Sequence, residues 1–178
     1  MRIKSLLMIL TIMSILASCE SEKLLSREDW KSALDKAGKT TDDQYGNVLI
    51  IGGTPRGPEK EGGQAQWTLN IADVPTGKIR LRILTNGIGW YGKGIHSLKP
   101  GGTAEIYLND ILIESVICET LGKYDDYWPK TTPAGSSHYD TNEIDLSALS
   151  ISGTTLKLKI VAKPYTAVDV NAIEIYQK

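Results

Sequence analysis

Hydrophobic residues alternate with charged residues over long stretches of this chain. The segment KIRLRIL, residues 78–84, places Ile and Leu on one parity and Lys and Arg on the other, and TLKLKIVAK, residues 155–163, repeats the pattern. A period of two puts successive side chains on opposite faces of a β-strand. These segments therefore predict half-buried strands, with Leu81 and Leu158 inside and the charged neighbours outside.

Further short apolar segments, separated by turns rich in Gly and Pro, continue the strand pattern. They are NVLII (47–51), QWTLNIA (66–72), AEIYL (104–108), ILIESVI (111–117), NEIDLS (142–147) and VDVNAIEIY (168–176). Asn109-Asp110 is a two-residue hairpin signal, and a phase change in the last segment predicts a bulge near Asn171 and Ala172. About eight alternating strands predict an all-β fold, an antiparallel β-sandwich of the jelly-roll type.

One short helix is predicted before the strands, over about residues 27–37. Ser26 is a natural N-cap, Asp29 occupies the third helical position, and Gly38 is a natural stop. Apolar residues recur at helical spacing, at Trp30, Ala33, Leu34 and Ala37. We therefore expect Trp30 to pack in the core rather than bind a ligand.

The first residues predict export. Arg2 and Lys4 precede an apolar run, residues 6–15, that is too short to span a bilayer, and the run leads into Leu-Ala-Ser-Cys, residues 16–19. This segment resembles the lipobox of bacterial lipoproteins. It implies a signal peptide over 1–18, lipidation of Cys19, a short tether over 19–25, and one domain over 26–178 with its β-sandwich from about residue 46. We expect a protein of the bacterial cell envelope, anchored by lipid to the outer membrane, with the leaflet left open.

Charge and motifs argue against several classes of function. The net charge is −1, with no basic patch of the kind that binds nucleic acid. GIGWYG, residues 87–92, matches G-x-G-x-x-G, but the Gly- and Pro-rich segment after it is a poor helix for holding a dinucleotide. His96 and His138 each stand alone, and no nucleophile elbow marks a serine. We therefore expect no enzyme, no cofactor and no nucleic-acid partner.

Aromatic residues are concentrated in loop-like segments. They include Trp90 and Tyr91, and the pair Tyr127 and Trp128 within GKYDDYWPK, residues 122–130. An aromatic face can cover the C–H patch of a sugar ring while polar neighbours bind its hydroxyls. Packing under the loops is the alternative explanation for any one of these rings. The pattern favours binding of an oligo- or polysaccharide.

From about Ala65 onward the chain resembles the galactose-binding-like jelly rolls, especially family 6 and family 35 carbohydrate-binding modules. The features that carry the resemblance are VPTGKIRLRI, AEIYLNDILI, a loop Trp before DLSAL…GTTLKLKI, and the closing DVNAIEI. It implies a sugar site with Trp90 or Tyr91 at the first aromatic position, Trp128 at the second, and Asp169 on the floor of the groove.

The chain departs from the family pattern in two places. Asp169-Val170-Asn171 stands where the family has Asn-Leu-Asp, and an ionised Asp accepts hydrogen bonds without donating them. The acidic strand with which the family holds a structural calcium has no clear counterpart in QYGNVLII, residues 44–51, so calcium stays open without support.

Two functions therefore remain in view at this stage. The first is non-catalytic glycan binding through loop aromatics. The second is a structural or assembly lipoprotein that binds another envelope protein. Open aromatic faces around a groove favour the first, and a broad apolar patch with a polar rim favours the second.

Overall fold

The computed structural model describes residues 22–43, 48–54, 57–73, 77–86, 95–97, 102–117, 119–120, 134–149 and 153–177. These residues are almost entirely β-strand. In chain order the strands are β1 Lys23–Asp29, β2 Leu34–Gly38, β3 Thr40–Asp43, β4 Val48–Ile51, β5 Gly53–Thr54, β6 Gly57–Pro58, β7 Gly63–Asn70, β8 Lys78–Asn86, β9 Ile95–Ser97, β10 Thr103–Leu108, β11 Ile111–Ile117, β12 Glu119–Thr120, β13 Ala134–Asp140, β14 Ile144–Asp145, β15 Thr155–Ala162, β16 Thr166–Val170 and β17 Ala172–Gln177. One 3₁₀ turn, Trp30–Ser32, lies between β1 and β2.

The strands form three five-stranded sheets and one small hairpin. Sheet A has the order β1-β17-β8-β13, with β14 also paired to β8. Sheet B has the order β11-β10-β15-β7-β2, and sheet C has the order β12-β9-β16-β4-β3. Strands β5 and β6 form the hairpin. All described pairings are antiparallel except the one between β9 and β12.

One large buried cluster takes side chains from all three five-stranded sheets. Buried and more exposed residues alternate along β10 and β15, and along β7 from Gln64 onward, as a sheet with one face on a core requires. Two side-chain hydrogen bonds connect sheets A and B. The Trp67 indole donates to the Asp29 carbonyl at 3.3 Å, and the Tyr139 hydroxyl donates to the Glu114 carboxylate. The described residues thus form an antiparallel β-sandwich. Leu81 and Leu158 are fully buried in its two facing sheets, as predicted.

The predicted N-terminal helix over 27–37 is wrong. Residues 23–29 instead form β1, which pairs with β17, and residues 34–38 form β2, which pairs with β7. Strand β1 also begins inside the predicted tether over 19–25. Pairing with two core strands supplies long-range hydrogen bonds that outweigh a weak helical preference. Trp30 is nevertheless packed, at 5% exposure, in the 3₁₀ turn that connects the two sheets.

The predicted hairpin is present, whereas the position of the bulge predicted near Asn171 and Ala172 is instead a break between two strands, β16 and β17. Strands β10 and β11 pair across Asn109 and Asp110, whose φ values of 47° and 65° are those of a tight hairpin turn. At Asn171 the chain leaves sheet C and enters sheet A. The Asn171 amide donates to the Leu84 carbonyl at 2.7 Å, and its carbonyl accepts from the Trp30 amide at 2.9 Å. One residue thus joins two sheets and the 3₁₀ turn.

Within the described ranges, no helix is long and apolar enough to cross a membrane.

Candidate functional site

The register of sheet A brings three distant parts of the chain to one end of the sandwich. Strand β8 runs from Lys78, whose neighbour Ile79 pairs with Gln177, to Asn86, which pairs with Ala134 at the start of β13. Ala172 pairs with Leu84 on the other side of β8. We call the end marked by Asn86, Ala134 and Ala172 the distal end, and the opposite end, marked by Glu22 and Gln177, the proximal end. Asn86 is the last described residue before segment 87–94, and Ala134 is the first described residue after segment 121–133.

Asp169 lies in β16, two residues before the junction at Asn171. It pairs with Ile50 of β4, and Thr41 of β3 pairs with Ile50 on the far side. Paired residues of neighbouring strands share a face of the sheet. Val168 and Val170, its neighbours in the strand, pack in the main core. Asp169 therefore lies on the opposite face of sheet C, which is turned away from the main core.

This second face of sheet C is buried as well. Val48, Ile50 and Ala167 form a separate small hydrophobic cluster, each with no exposed surface, and Asp169 is likewise fully buried. A carboxylate in such surroundings loses its hydration and needs compensating contacts, and Asp169 does make a polar or electrostatic contact. Asp169 thus belongs to a buried layer on this second face of sheet C.

The other predicted site residues, Trp90, Tyr91, Tyr127 and Trp128, lie outside the described residues, as do the predicted lipidation site Cys19 and the second cysteine, Cys118. The predicted contacts of these residues stay predictions. Asp169 is the one member of the predicted site whose position is described. Its proposed contact with a sugar hydroxyl also stays a prediction.

A network of ionic contacts covers the outer face of sheet A, and the sequence alone did not reveal it. The Arg82 guanidinium donates two hydrogen bonds to the Asp140 carboxylate, at 2.7 and 2.9 Å, and Arg80 lies 3.0 Å from the same carboxylate. Arg80 also donates to Glu22 at the proximal end. Hydrogen bonding to Arg82 holds the pKa of Asp140 below its usual range, against the opposing effect of burial.

The network continues across β17. Arg82 lies over the Tyr176 ring, 5.0 Å from its centroid, and the Tyr176 hydroxyl donates to Glu174 at 2.7 Å. That bond to a carboxylate raises the pKa of Tyr176. Arg27 of β1 binds the same Glu174 at 2.6 Å. Each carboxylate of this network thus lies against a guanidinium group, an arrangement that stabilises the sheet.

The outer face of sheet B carries a second, smaller set of charge contacts. Lys163 lies 2.7 Å from Glu105, and this hydrogen bond is the main cause of a lowered pKa at Glu105 and a raised pKa at Lys163. Lys159 lies over the Tyr107 ring at 4.7 Å and binds Asp110 at 3.0 Å. The Tyr107 ring is thus covered by a cation.

A shallow groove of about 300 Å³ lies where β2, β7 and β15 meet, lined by residues that include Gly38, Glu61, Gly62, Lys163 and Pro164. Backbone segments approach closely here: a Cβ on Gly62, whose φ is +67°, would lie 2.5 Å from the Ala162 carbonyl. The glycines are explained by this packing. Among the described side chains, no group of three or more His, Cys, Asp or Glu residues is arranged to hold a metal ion.

No protein-family model matches the chain, and no curated protein matches it. Solved structures similar to it include a family 35 carbohydrate-binding module from an environmental isolate, at 16% identity, covering 86% of this chain and 91% of that one, with a TM-score of 0.43. A family 35 module from Clostridium thermocellum is 11% identical, with 87% and 97% covered and a TM-score of 0.42. A family 61 module solved with β-1,4-galactotriose is 11% identical, with 89% and 90% covered and a TM-score of 0.39. Family 35 modules, which the strand pattern of the sequence resembles, are thus also among the solved structures to which the chain is similar.

Proposed function

We propose that this chain is a lipid-anchored protein of the bacterial cell envelope that binds a glycan, without catalysis, through aromatic side chains at the distal end. The pairing of Asn86 with Ala134 carries the proposal. Trp90 follows Asn86 by four residues, and Trp128 precedes Ala134 by six. Chain segments of only four and six residues thus connect these two distant Trp residues to one pair of neighbouring backbone positions.

Two rings near one point suit the chemistry of a sugar. A pyranose offers C–H groups on its face and hydroxyls at its edge, and Trp and Tyr bind the face while their polar atoms stay hydrated. Each stacking contact contributes about 0.5–1.5 kcal/mol beyond area burial. Millimolar affinity requires only about 4 kcal/mol. Two rings with a few hydroxyl bonds are therefore sufficient for weak binding.

Asp169 belongs to the proposal as the polar group of the floor. The hydrogen bond from Asn171 to Leu84 ties the end of β16 to the distal end of β8, so Asp169 lies near the point where the aromatic segments begin and end. Since its carboxylate is fully buried, we assign it to the base of the groove, beneath the rings. A sugar hydroxyl would reach this carboxylate only after the residues that cover it move aside, and an ionised carboxylate would then accept a hydrogen bond from that hydroxyl.

Anchoring at Cys19 would leave the distal end free. Lys23 pairs with Gln177 and Glu22 binds Arg80, so the chain enters the sandwich at the proximal end, three residues after Cys19. Strand β8 has nine residues, which corresponds to about 30 Å between the two ends. A lipid at Cys19 and a glycan at the distal end would therefore occupy opposite ends of the molecule.

A glycan array tests the proposal. The secreted chain carrying Cys19→Ser, which cannot be acylated, is applied to immobilised oligosaccharides, and retention must be competed by the same free sugar. We expect retention of at least one saccharide with weak affinity. Absence of competed retention on any glycan would contradict the glycan proposal, and binding of an envelope protein by the same chain would favour the assembly function instead.

A further inference from the structure

Exposed aliphatic surface is concentrated on β11. Of the five large hydrophobic side chains that are well exposed among the described residues, three lie on this strand: Ile111 at 38%, Leu112 at 49% and Ile117 at 75%. Strand β11 is at the edge of sheet B, and in the described part of the chain it pairs with β10 alone. An edge strand presents unpaired N–H and C=O groups that another strand can bind.

Other edge strands of the sandwich carry charges of the kind that keep edges apart. They are Lys23, Arg27, Glu28 and Asp29 on β1, Asp35 and Lys36 on β2, and Asp42 and Asp43 on β3. The sequence of β11, ILIESVI, has one charged residue, Glu114. Glu114 turns to the facing sheet, where it accepts hydrogen bonds from the Tyr139 hydroxyl and, at 3.1 Å, from the Asn142 amide. The β11 edge therefore lacks a charge directed outwards.

We propose that β11 is a dimer interface, at which the strand pairs antiparallel with β11 of a second copy of this chain. In the pairing with β10, Leu112, Ser115 and Ile117 lie opposite Tyr107, Glu105 and Thr103, which all share one face of sheet B. The register shift between Ile106 and Tyr107 adds one residue to β11 between Leu112 and Ser115. Ser115 is thus the midpoint between the two exposed aliphatic residues.

That symmetry identifies the partner. A two-fold axis at Ser115 places Leu112 of each copy opposite Ile117 of the other. The dimer would therefore cover both exposed side chains in both copies. A two-fold interface requires such self-complementarity, because the same surface must fit itself. A stacking site for a sugar would need open aromatic faces, whereas the adjacent Tyr107 ring is covered by Lys159. The interface is independent of the proposed glycan site, which lies at the distal end.

Sedimentation of the secreted Cys19→Ser chain tests the proposal, since lipid then makes no contribution to association. We expect the mass of a dimer at micromolar concentration. Ile117→Lys should shift the mass to that of a monomer and leave the far-UV circular dichroism spectrum unchanged, because this side chain is three-quarters exposed in the single copy. Leu34→Lys is the matched control, since Leu34 is 52% exposed on the β2 edge, and it should remain dimeric.

Disulfide trapping provides a second measurement. With Cys19 and Cys118 both changed to Ser, the chain has no thiol, and Ser115→Cys introduces one at the proposed axis. Residues opposite each other in an antiparallel pair have Cβ atoms within disulfide reach. We expect a covalent dimer on mild oxidation with Ser115→Cys and none with Ser32→Cys, because Ser32 is also exposed but lies in the 3₁₀ turn. A monomer at every concentration, a dimer that Ile117→Lys leaves intact, or a monomer that captures a different protein through β11 would each overturn the proposal.

Discussion

Arg82 and Asp140 face each other across β8 and β13 and share two hydrogen bonds, at 2.7 and 2.9 Å. The same carboxylate also lies 3.0 Å from Arg80, so one acid contacts two guanidinium groups on the outer face of sheet A. This contact is the centre of the network that connects β1, β17, β8 and β13.

The lowered pKa of Asp140 makes this contact sensitive to acid. A carboxyl group whose pKa is lower in the folded state contributes stability above its unfolded pKa of about 3.9, and this contribution disappears as the pH falls through the folded value. Asp140→Asn should cost about 1–2 kcal/mol at neutral pH, and the difference from the wild type should shrink below about pH 4. Urea unfolding at several pH values measures both. As a control, Asp42→Asn removes an exposed pair with Lys36 and should change stability by less than about 0.5 kcal/mol; equal, pH-independent losses in both variants would contradict the role of Asp140.

The two parities of β15 should respond differently to truncation. Leu158 is fully buried opposite Trp67 and Leu108, so Leu158→Ala should cost about 2–5 kcal/mol in the free energy of unfolding. Lys157 is exposed, and Lys157→Ala should cost less than about 0.5 kcal/mol. Denaturant titrations of the two variants make the comparison, and similar losses would show that β15 has no buried face.

Substitutions at two glycines with positive φ allow the cost of backbone strain to be distinguished from the cost of steric overlap. Gly52 has φ +80°, and a Cβ there would lie 2.2 Å from the Thr166 carbonyl, whereas Gly77 has φ +95° and no atom within 4 Å of its Cβ position. Gly77→Ala should cost about 1–2 kcal/mol from the left-handed conformation alone. Gly52→Ala should lose about 1–3 kcal/mol more, because β16 must move away from the new methyl group. Thermal melts of both variants test this order, and a Gly77 variant as unstable as the Gly52 variant would refute it.

Trp128 and Trp30 should separate binding from packing. Trp128→Ala removes one of the two proposed stacking rings and should abolish detectable glycan retention while the melting temperature stays nearly normal. Trp30 is buried, so Trp30→Ala should cost about 3–5 kcal/mol, while the folded fraction still binds. Array binding and calorimetry are compared for the two variants. If Trp128→Ala unfolds the protein, its ring packs under the loops, and the assembly function becomes the better explanation.

Cys19 should decide the location of the protein and not its fold. Cys19→Ser removes the proposed acylation site and should move the protein from the membrane fraction to the soluble fraction, because acyl chains contribute about 0.8 kcal/mol per buried CH₂ to membrane attachment. The circular dichroism spectrum should be unchanged, since Cys19 precedes the first described strand. Fractionation with Ser21→Ala as the control variant measures this, and a Cys19→Ser protein that stays on the membrane would contradict lipid anchoring.

The alternating pattern places Arg80, as a charged neighbour of Leu81, on the outside of the sandwich, and tertiary contacts give it a further role. Parity correctly places Arg80 on the outer face of sheet A, but the strand pairings bring Glu22 and Asp140 to it. Alternation is a local property of one strand and contains no information about which strand comes next to it. The cost of removing Arg80 is therefore set by Glu22, at the start of the described chain, and by Asp140 of β13, which only the folded sheet brings together.

The same distinction explains the segment around Trp30. Its apolar spacing fits a helix, and its hydrophobicity correctly predicts a buried Trp, because burial depends mainly on the side chain's own transfer free energy. The backbone conformation depends on distant strands. Strand β1 pairs with β17 and β2 pairs with β7, so both segments are extended. Short segments have nearly equal helix and strand preferences, so the long-range hydrogen bonds decide between them.

The sequence by itself determined which side chains of β7, β8, β10 and β15 enter the core, and it placed the hairpin at Asn109-Asp110, since a period of two and a turn pair are encoded by neighbouring residues. Only the tertiary structure decided that Asn86 meets Ala134, that the chain crosses between sheets at Asn171, and that Asp169 is enclosed among Val48, Ile50 and Ala167. Those relationships depend on loop closure over tens of residues and on the competition among strands for partners, and neither is written in any local stretch of the chain.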